Sequence, residues 1–175
     1  MKDISILMAG FGGQGILFIG KALTYAGLIE GKEVSLVPSY GPEMRGGTVD
    51  CTVCISEEPV CSPVPNHPEV LVSMNQLSFG KFIDRVASGG TVIVDSTLVD
   101  CATERTDVNI LKIPATALAD ENKLSANVIM LGFIMKHTGC CDIPTIEKAL
   151  AKCIPPKKQA LLPKNMEAVS IGYNF

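Results

Sequence analysis

The residues best suited to chemistry in this chain are glycines. Gly10-Phe11-Gly12-Gly13-Gln14-Gly15 has the G-x-G-x-x-G spacing of a nucleotide-binding turn, with a short apolar run before it and a helical pattern after it. Glycines allow a tight turn and close backbone approach, and the start of the following helix offers unpaired N–H groups to a phosphate. The turn therefore suits a phosphorylated ligand. A nicotinamide cofactor is disfavoured, because the acidic residue that would take its ribose hydroxyls at the end of the second strand is replaced by Val37, Pro38 and Ser39, and Glu33 stands at the strand's other end. The plainer reading is a strand-to-helix turn and nothing more. Gln14 is of no use to a bare turn, whereas it can bond a ligand or a neighbouring loop.

A second concentration of polar residues is Ser39-Tyr40-Gly41-Pro42-Glu43-Met44-Arg45-Gly46-Gly47, rich in turn formers. The planar guanidinium of Arg45 suits a phosphate, and the amides of Gly46 and Gly47 can join it. Arg45 can equally pair with Glu43 or with a carboxylate of a partner chain. Under the rule that ligands bind at the carboxyl ends of strands in open sheets, this loop and the glycine turn should face one site. Asn127 is a third candidate: it stands at the start of an otherwise apolar helix, where a buried amide needs a hydrogen-bond partner, and the glycine turn is the expected one.

Other constellations are weaker. Cys51 and Cys54 are separated by an odd number of residues in a strand, which sends their side chains to opposite faces. With Cys61, Cys101, Cys140, Cys141 and Cys153 they make seven cysteines without a recurrent ligand spacing, so neither a metal nor a cluster is expected in this chain. His67 and His137, the two histidines, have no nucleophile near them in sequence. Asp95-Ser96 either borders the crevice or caps the next segment, the second being the usual role of such a pair. No catalytic side chain is assigned.

The elements that position these groups follow from periodicity. Ile4 to Ala9 reads as a buried parallel strand, Ile16 to Ile29 as a mostly buried helix ending at Gly31, and Glu33 to Val37 as a second strand. Thr48 to Ile55 alternates, which predicts a half-exposed strand near a sheet edge. Val70 to Met74, Thr91 to Asp95 and Asn109 to Ile113 are further strands, with a helix over Gln76 to Ala87. Helices follow at Ala115 to Glu121, Ser125 to His137, Thr145 to Cys153 and Lys158 to Val169. The expected fold is α/β: a Rossmann-like, open, mostly parallel sheet with helices on both faces and a C-terminal helical segment, in a single domain over residues 1–175.

Composition narrows the function. The 175 residues are 47% apolar with a net charge of -3, so the chain can build a core without disulfides, and an odd cysteine count suits a reducing cytoplasm. Fifteen basic against 18 acidic residues give no electrostatic footprint for nucleic acid. The longest nearly uncharged run, Ser125 to Met135, is about half of the roughly 20 residues a membrane span needs.

Three segments together resemble the gamma subunit, or gamma domain, of 2-oxoacid:ferredoxin oxidoreductases, over nearly the whole chain. They are Ile6-Leu7-Met8-Ala9-Gly10-Phe11-Gly12-Gly13-Gln14-Gly15-Ile16, the loop from Ser39 to Gly47, and Ser125-Ala126-Asn127-Val128-Ile129-Met130-Leu131-Gly132. The resemblance is strongest to the 2-oxoglutarate enzymes. It implies a subunit of an oxygen-sensitive complex that converts a 2-oxoacid, coenzyme A and oxidised ferredoxin to acyl-CoA, CO2 and reduced ferredoxin. Thiamine diphosphate with Mg and the iron-sulfur clusters would then lie in alpha, beta and ferredoxin-like delta subunits. This chain would contact coenzyme A and help to close the active site, and would be inactive alone. Gly10, Gly12, Gly13, Gln14 and Gly15 would line the coenzyme A path, with Ser39, Tyr40, Gly41, Glu43, Met44, Arg45, Gly46 and Gly47 as its second wall and Asn127 behind the turn. Glu43 and Met44 depart from the lysines that fused relatives carry in this loop. The small subunit of indolepyruvate:ferredoxin oxidoreductase and a stand-alone Rossmann-like nucleotide-binding module are the alternative readings.

Overall fold

The architecture was obtained as a computed structural model, which describes residues 3–40 and 47–175. Six strands form one sheet in the order β2-β3-β1-β4-β5-β6. They are β1 (Ile4–Phe11), β2 (Glu33–Tyr40), β3 (Thr48–Ser56), β4 (Val70–Ser73), β5 (Thr91–Asp95) and β6 (Asn109–Ile113). The pairs β1/β4, β4/β5 and β5/β6 are parallel, while β3 runs antiparallel to both β1 and β2. Five strands therefore point one way and β3 alone is reversed, which makes the sheet mostly parallel.

The expectation that β3 lies near an edge holds, since it is one strand in from the edge, but the expectation that it is half exposed is corrected. It is inserted between β1 and β2, and Cys51 to Ile55 are all buried. Its alternation has another cause: Cys51, Val53 and Ile55 enter the main core, whereas Cys54 points to the opposite face, its Sγ near the carbonyls of Ser62 and Pro63 in the proline-rich connection. The edge is β2, and Pro38 sits there because an edge strand can spare an N–H.

The two faces are covered unequally. One carries α1 (Ile16–Ile29), α3 (Ala115–Asn122), α4 (Ala126–Thr138), α5 (Ile143–Cys153) and α6 (Leu162–Asn174), whose apolar residues join Ile6, Met8, Val72 and Ile93 in the larger core. The other carries α2 (Gln76–Phe82) and a 3-10 turn at Ile83–Arg85, where Phe79, Phe82 and Ile83 cover Leu7, Ala9, Leu71 and Val92. The helix expected to run to Ala87 thus stops earlier. Its chain must turn at Val86, whose N–H bonds the Ile83 carbonyl, to feed the tight loop that starts β5.

The C-terminal helix is displaced from its expected span. Pro156–Leu161 forms a 3-10 helix and α6 begins at Leu162, because Pro163 lacks an N–H and fits the first turn of a helix but not its interior. It then continues to Asn174, packed on α4 where Gly132 and Gly172 face each other's helix.

Candidate functional site

The sheet changes direction of travel at β1. The chain leaves β1 through α1 on one face toward β2, and leaves β4 through α2 on the other face toward β5. The carboxyl ends of β1 and β4 thus flank the switch point at which ligands bind in open α/β sheets. The glycine turn occupies this position.

The glycines of the turn are not all required for the same reason, and one is not required by the fold. Gly13 and Gly15 have φ of +99° and +76°, a region that costs a side-chain-bearing residue energy. A Cβ on Gly10 would lie 2.8 Å from Gln14 Oε1 and 2.9 Å from Ile16, whereas a Cβ on Gly12 would meet nothing nearer than Val49 at 3.9 Å. The fold has no steric need of a glycine at position 12. Gly15 is the N-cap of α1 and supplies no capping side chain.

Gln14 bridges the crevice. Its Oε1 accepts from the Phe11 N–H at 2.6 Å and from Asn75 Nδ2 at 3.2 Å, and its Nε2 donates to the Met74 carbonyl at 2.8 Å. Met74 and Asn75 follow β4, so the glutamine ties the end of β1 to the end of β4. A dinucleotide bound in the usual manner would need that crevice.

The open side of the turn faces β3. Phe11, Gly12, Gly13, Gly15, Ile16, Leu17, Phe18 and Val49 line a hollow of about 270 Å³. Gly12 N donates to the Gly47 carbonyl at 3.2 Å and Gln14 N to the Phe11 carbonyl at 3.1 Å. The amides of Gly13, Gly15, Ile16 and Leu17 donate to no acceptor among the described residues. Unpaired N–H groups at the head of a 14-residue helix, beside an apolar floor, suit an anionic group carried on an apolar chain.

The second loop adjoins the glycine turn at its C-terminal end. Gly47 bonds Gly12, and Tyr40 and Ser39 pair with Val49 and Asp50 of β3, with Ser39 exposed. Gly41, Glu43, Met44, Arg45 and Gly46 lie outside the described residues. Beside Ser39, burial pushes the Asp50 carboxyl above its ordinary range, and Lys81 and Arg85 oppose that shift. Lys81 Nζ stands 3.8 Å from Asp50 Oδ1.

Asn127 Nδ2 donates to the Gly15 carbonyl at 3.2 Å. It stands behind the turn, on the α4 side. Asp95 is fully buried and occupied elsewhere: its carboxylate accepts from Thr97 N at 3.1 Å and from the N–H and hydroxyl of Thr116. It is the cap that α3 lacks at Pro114, so the capping role holds. Asn75 was not singled out in the sequence. Its signal was an Asn directly before a helix at the end of a strand, the N-cap position, and its Oδ1 does accept from Ser78 N at 2.8 Å.

A larger hollow of about 360 Å³, lined by Asp3, Glu69, the turn Ala87 to Thr91 and His137, opens at the opposite, amino-terminal end of the strands. Among the described residues, no three His, Cys, Asp or Glu side chains converge as a metal site would require. No helix among them is long and apolar enough to cross a membrane.

Comparison with known proteins gives this geometry a setting. The family model described as "Pyruvate ferredoxin/flavodoxin oxidoreductase" matches residues 5–175. The 2-oxoglutarate synthase subunit KorC of Methanocaldococcus jannaschii is 38% identical over 173 residues, covering 96% of this chain and 91% of that protein. The ketoisovalerate oxidoreductase subunit VorA of Methanothermobacter thermautotrophicus is 42% identical over 135 residues, a stretch that is 76% of this chain but 28% of that larger protein. Among solved structures, the gamma subunit of a keto/oxoacid ferredoxin oxidoreductase from Geobacter sulfurreducens superimposes with a TM-score of 0.82 at 26% identity, over 98% of this chain and 96% of that one. The 2-oxoglutarate:ferredoxin oxidoreductase of Magnetococcus marinus, solved with 2-oxoglutarate, coenzyme A and succinyl-CoA bound, shares the fold with a TM-score of 0.89 at 24% identity over 99% of this chain and 31% of that one.

Proposed function

This chain belongs to the pyruvate ferredoxin/flavodoxin oxidoreductase family, and from that premise we propose that its glycine turn helps to bind coenzyme A in a cytoplasmic 2-oxoglutarate:ferredoxin oxidoreductase. The chain is the gamma-type subunit of a 2-oxoacid:ferredoxin oxidoreductase. The overall reaction joins the acyl part of the 2-oxoacid to the coenzyme A sulfur, releases the carboxylate as CO2, and passes two electrons to two oxidised ferredoxins with loss of the thiol proton. Thiamine diphosphate with Mg and the iron-sulfur clusters belong, in this reading, to the alpha, beta and ferredoxin-like delta partners. They supply the carbanion and electron-transfer chemistry when bound.

The observation that carries the reading is the pairing of four amides, at Gly13, Gly15, Ile16 and Leu17, that donate to no acceptor among the described residues, with the apolar floor of Phe11, Leu17, Phe18 and Val49. Coenzyme A has both features: phosphates that suit helix-head amides, and a long pantetheine chain that suits an apolar groove. The chain offers no acid, base or nucleophile to the reaction. It binds, orients and excludes water at the mouth of a partner's active site, and the guanidinium of Arg45 has the chemistry to take a phosphate there. The similarity to KorC over nearly both full lengths supports 2-oxoglutarate as the acid. The similarity to VorA supports a branched-chain oxoacid as a second reading.

Gly12→Leu tests the site directly. A Cβ there meets nothing nearer than Val49 at 3.9 Å, and Gly12 lines the hollow proposed as the coenzyme A path, so a larger side chain adds bulk at that site. In the reconstituted complex, ferredoxin reduction should show a KM for coenzyme A raised by about tenfold, the worth of roughly 1.4 kcal/mol, with the KM for 2-oxoglutarate unchanged. An unchanged coenzyme A KM overturns the site. Turnover of an oxoacid by the isolated chain overturns the subunit role, and preference for a branched-chain acid selects the second reading.

A further inference from the structure

The hydrogen bonds around Gln14 determine its orientation without ambiguity. Its oxygen receives two N–H donors, from Phe11 and Asn75, and its nitrogen faces the Met74 carbonyl. Rotating the amide would set N–H against N–H and carbonyl against carbonyl, so one orientation alone satisfies all three partners. Asn75 is oriented in the same way. Its oxygen is taken by the Ser78 N–H, which turns its Nδ2 toward Gln14. Asn75 is 4% exposed, too buried for water to replace a lost partner freely.

We propose that Asn75 is a positioning residue for the coenzyme A site: it locks Gln14, and through Gln14 the glycine turn, to the head of α2. This rests on the coenzyme A reading above. The link is a relay. The Ser78 N–H at the head of α2 orients Asn75, Asn75 orients Gln14, and Gln14 holds the Phe11 amide and thereby the entry to the turn whose residues line the hollow. Asn75 itself lines no part of that hollow. Without the relay the side chain of Gln14 loses one of the two donors that fix its oxygen, and the Gly13 to Gly15 amides lose their fixed aim.

Asn75→Asp separates this role from the helix cap. Asp caps a helix start as well as Asn does, so α2 keeps its bond from Ser78 N, but a carboxylate cannot donate to Gln14 Oε1 and repels it. Asn75→Ser, another good cap, is the second variant should the aspartate weaken assembly. In the complete complex, Asn75→Ser should lower the thermal midpoint slightly and Asn75→Asp more, because its carboxylate is buried against an amide oxygen, and both should raise the KM for coenzyme A about fivefold, as expected for one lost neutral hydrogen bond. The KM for 2-oxoglutarate should not move. If Gly12→Leu raises the coenzyme A KM and both Asn75 variants leave it unchanged, the relay is overturned while the site stands. If Gly12→Leu also leaves it unchanged, the site reading falls and the relay with it. Equal changes in both substrates' KM values mark a general loosening of the fold and overturn the positioning role.

Discussion

The carboxamide of Asn127 stands directly against Gly15, its Nδ2 donating to the Gly15 carbonyl at 3.2 Å. The contact joins the first turn of α4 to the head of α1, elements 112 residues apart in sequence. It also leaves no room: a Cβ on Gly15 would overlap the Asn127 amide, at a position whose φ is already +76°. Gly15→Ala therefore suffers a conformational penalty of about 1–2 kcal/mol and disrupts the hydrogen bond as well. Denaturant unfolding should show a loss of ~2 kcal/mol or more. Gly12→Ala, with open space and no positive φ, should stay within about 0.5 kcal/mol of wild type. Equal stability of the two variants would contradict this assignment.

A second close approach holds the C-terminal helix. Cβ atoms built on Gly132 of α4 and Gly172 of α6 would run into the carbonyls of Val169 and Ile129 on the opposite helix. Backbone cannot rotate away as a side chain can, so each alanine must push the helices apart. Gly132→Ala and Gly172→Ala should each cost roughly 1–3 kcal/mol, and the double variant should cost less than their sum, because one displacement relieves both clashes. Urea midpoints of the four proteins check this.

How far the sequence could be read depended on whether local pattern or pairing decided each feature. Ile16 to Ile29 was legible because its apolar spacing, the glycines before it and Gly31 after it all act within the segment. The insertion of β3 between β1 and β2 was not. Alternation reports that two faces differ, and a proline-rich loop over Cys54 produces the same pattern as solvent. At the glycine turn, the Asn127 contact was legible from residue type and an amide's need for a partner, although Asn127 is half-buried rather than buried. The role of Asn75 was hidden, because an N-cap asparagine has a sufficient local use and nothing in sequence tells that its other end reaches Gln14.

Asp95 offers a test of structural rather than catalytic duty. Both its oxygens are engaged, Oδ1 by Thr97 N and Oδ2 by Thr116 N and Oγ1. Asparagine keeps one acceptor and turns its NH2 toward an N–H it cannot accept from. Asp95→Asn should lose about 1–3 kcal/mol of stability, with the coenzyme A KM unchanged because the residue lies beneath α3 and not at the glycine turn. A selective rise in that KM would return Asp95 to the site.

The thiols set the alkaline limit of the fold. Burial pushes Cys51 up to about 12 and Cys153 up to about 11 from an ordinary 9.0, and in Cys51 the nearby Asp50 carboxylate adds to the effect. Above pH 9 the unfolded chain gives up these protons while the folded chain retains them. Ionisation then favours unfolding, so stability is full below about pH 9 and falls as pH rises toward 11 and 12. On the acid side, the Arg105 guanidinium holds the Asp107 carboxyl well below the usual range, and the Thr145 hydroxyl and N–H lower that of Asp142 at the head of α5. Their contributions are present above the ordinary carboxylate range and disappear as pH falls through the depressed values. Thermal midpoints from pH 3 to 11 should form a plateau that descends at both ends, and Cys51→Ala should flatten the alkaline descent. The same burial predicts chemistry. With iodoacetamide at pH 8, exposed Cys61 should be alkylated first and Cys51 should remain unmodified until the protein unfolds. Peptide mapping by mass spectrometry reads both sites, and native labelling of Cys51 at the rate of Cys61 would show that α1 does not cover it.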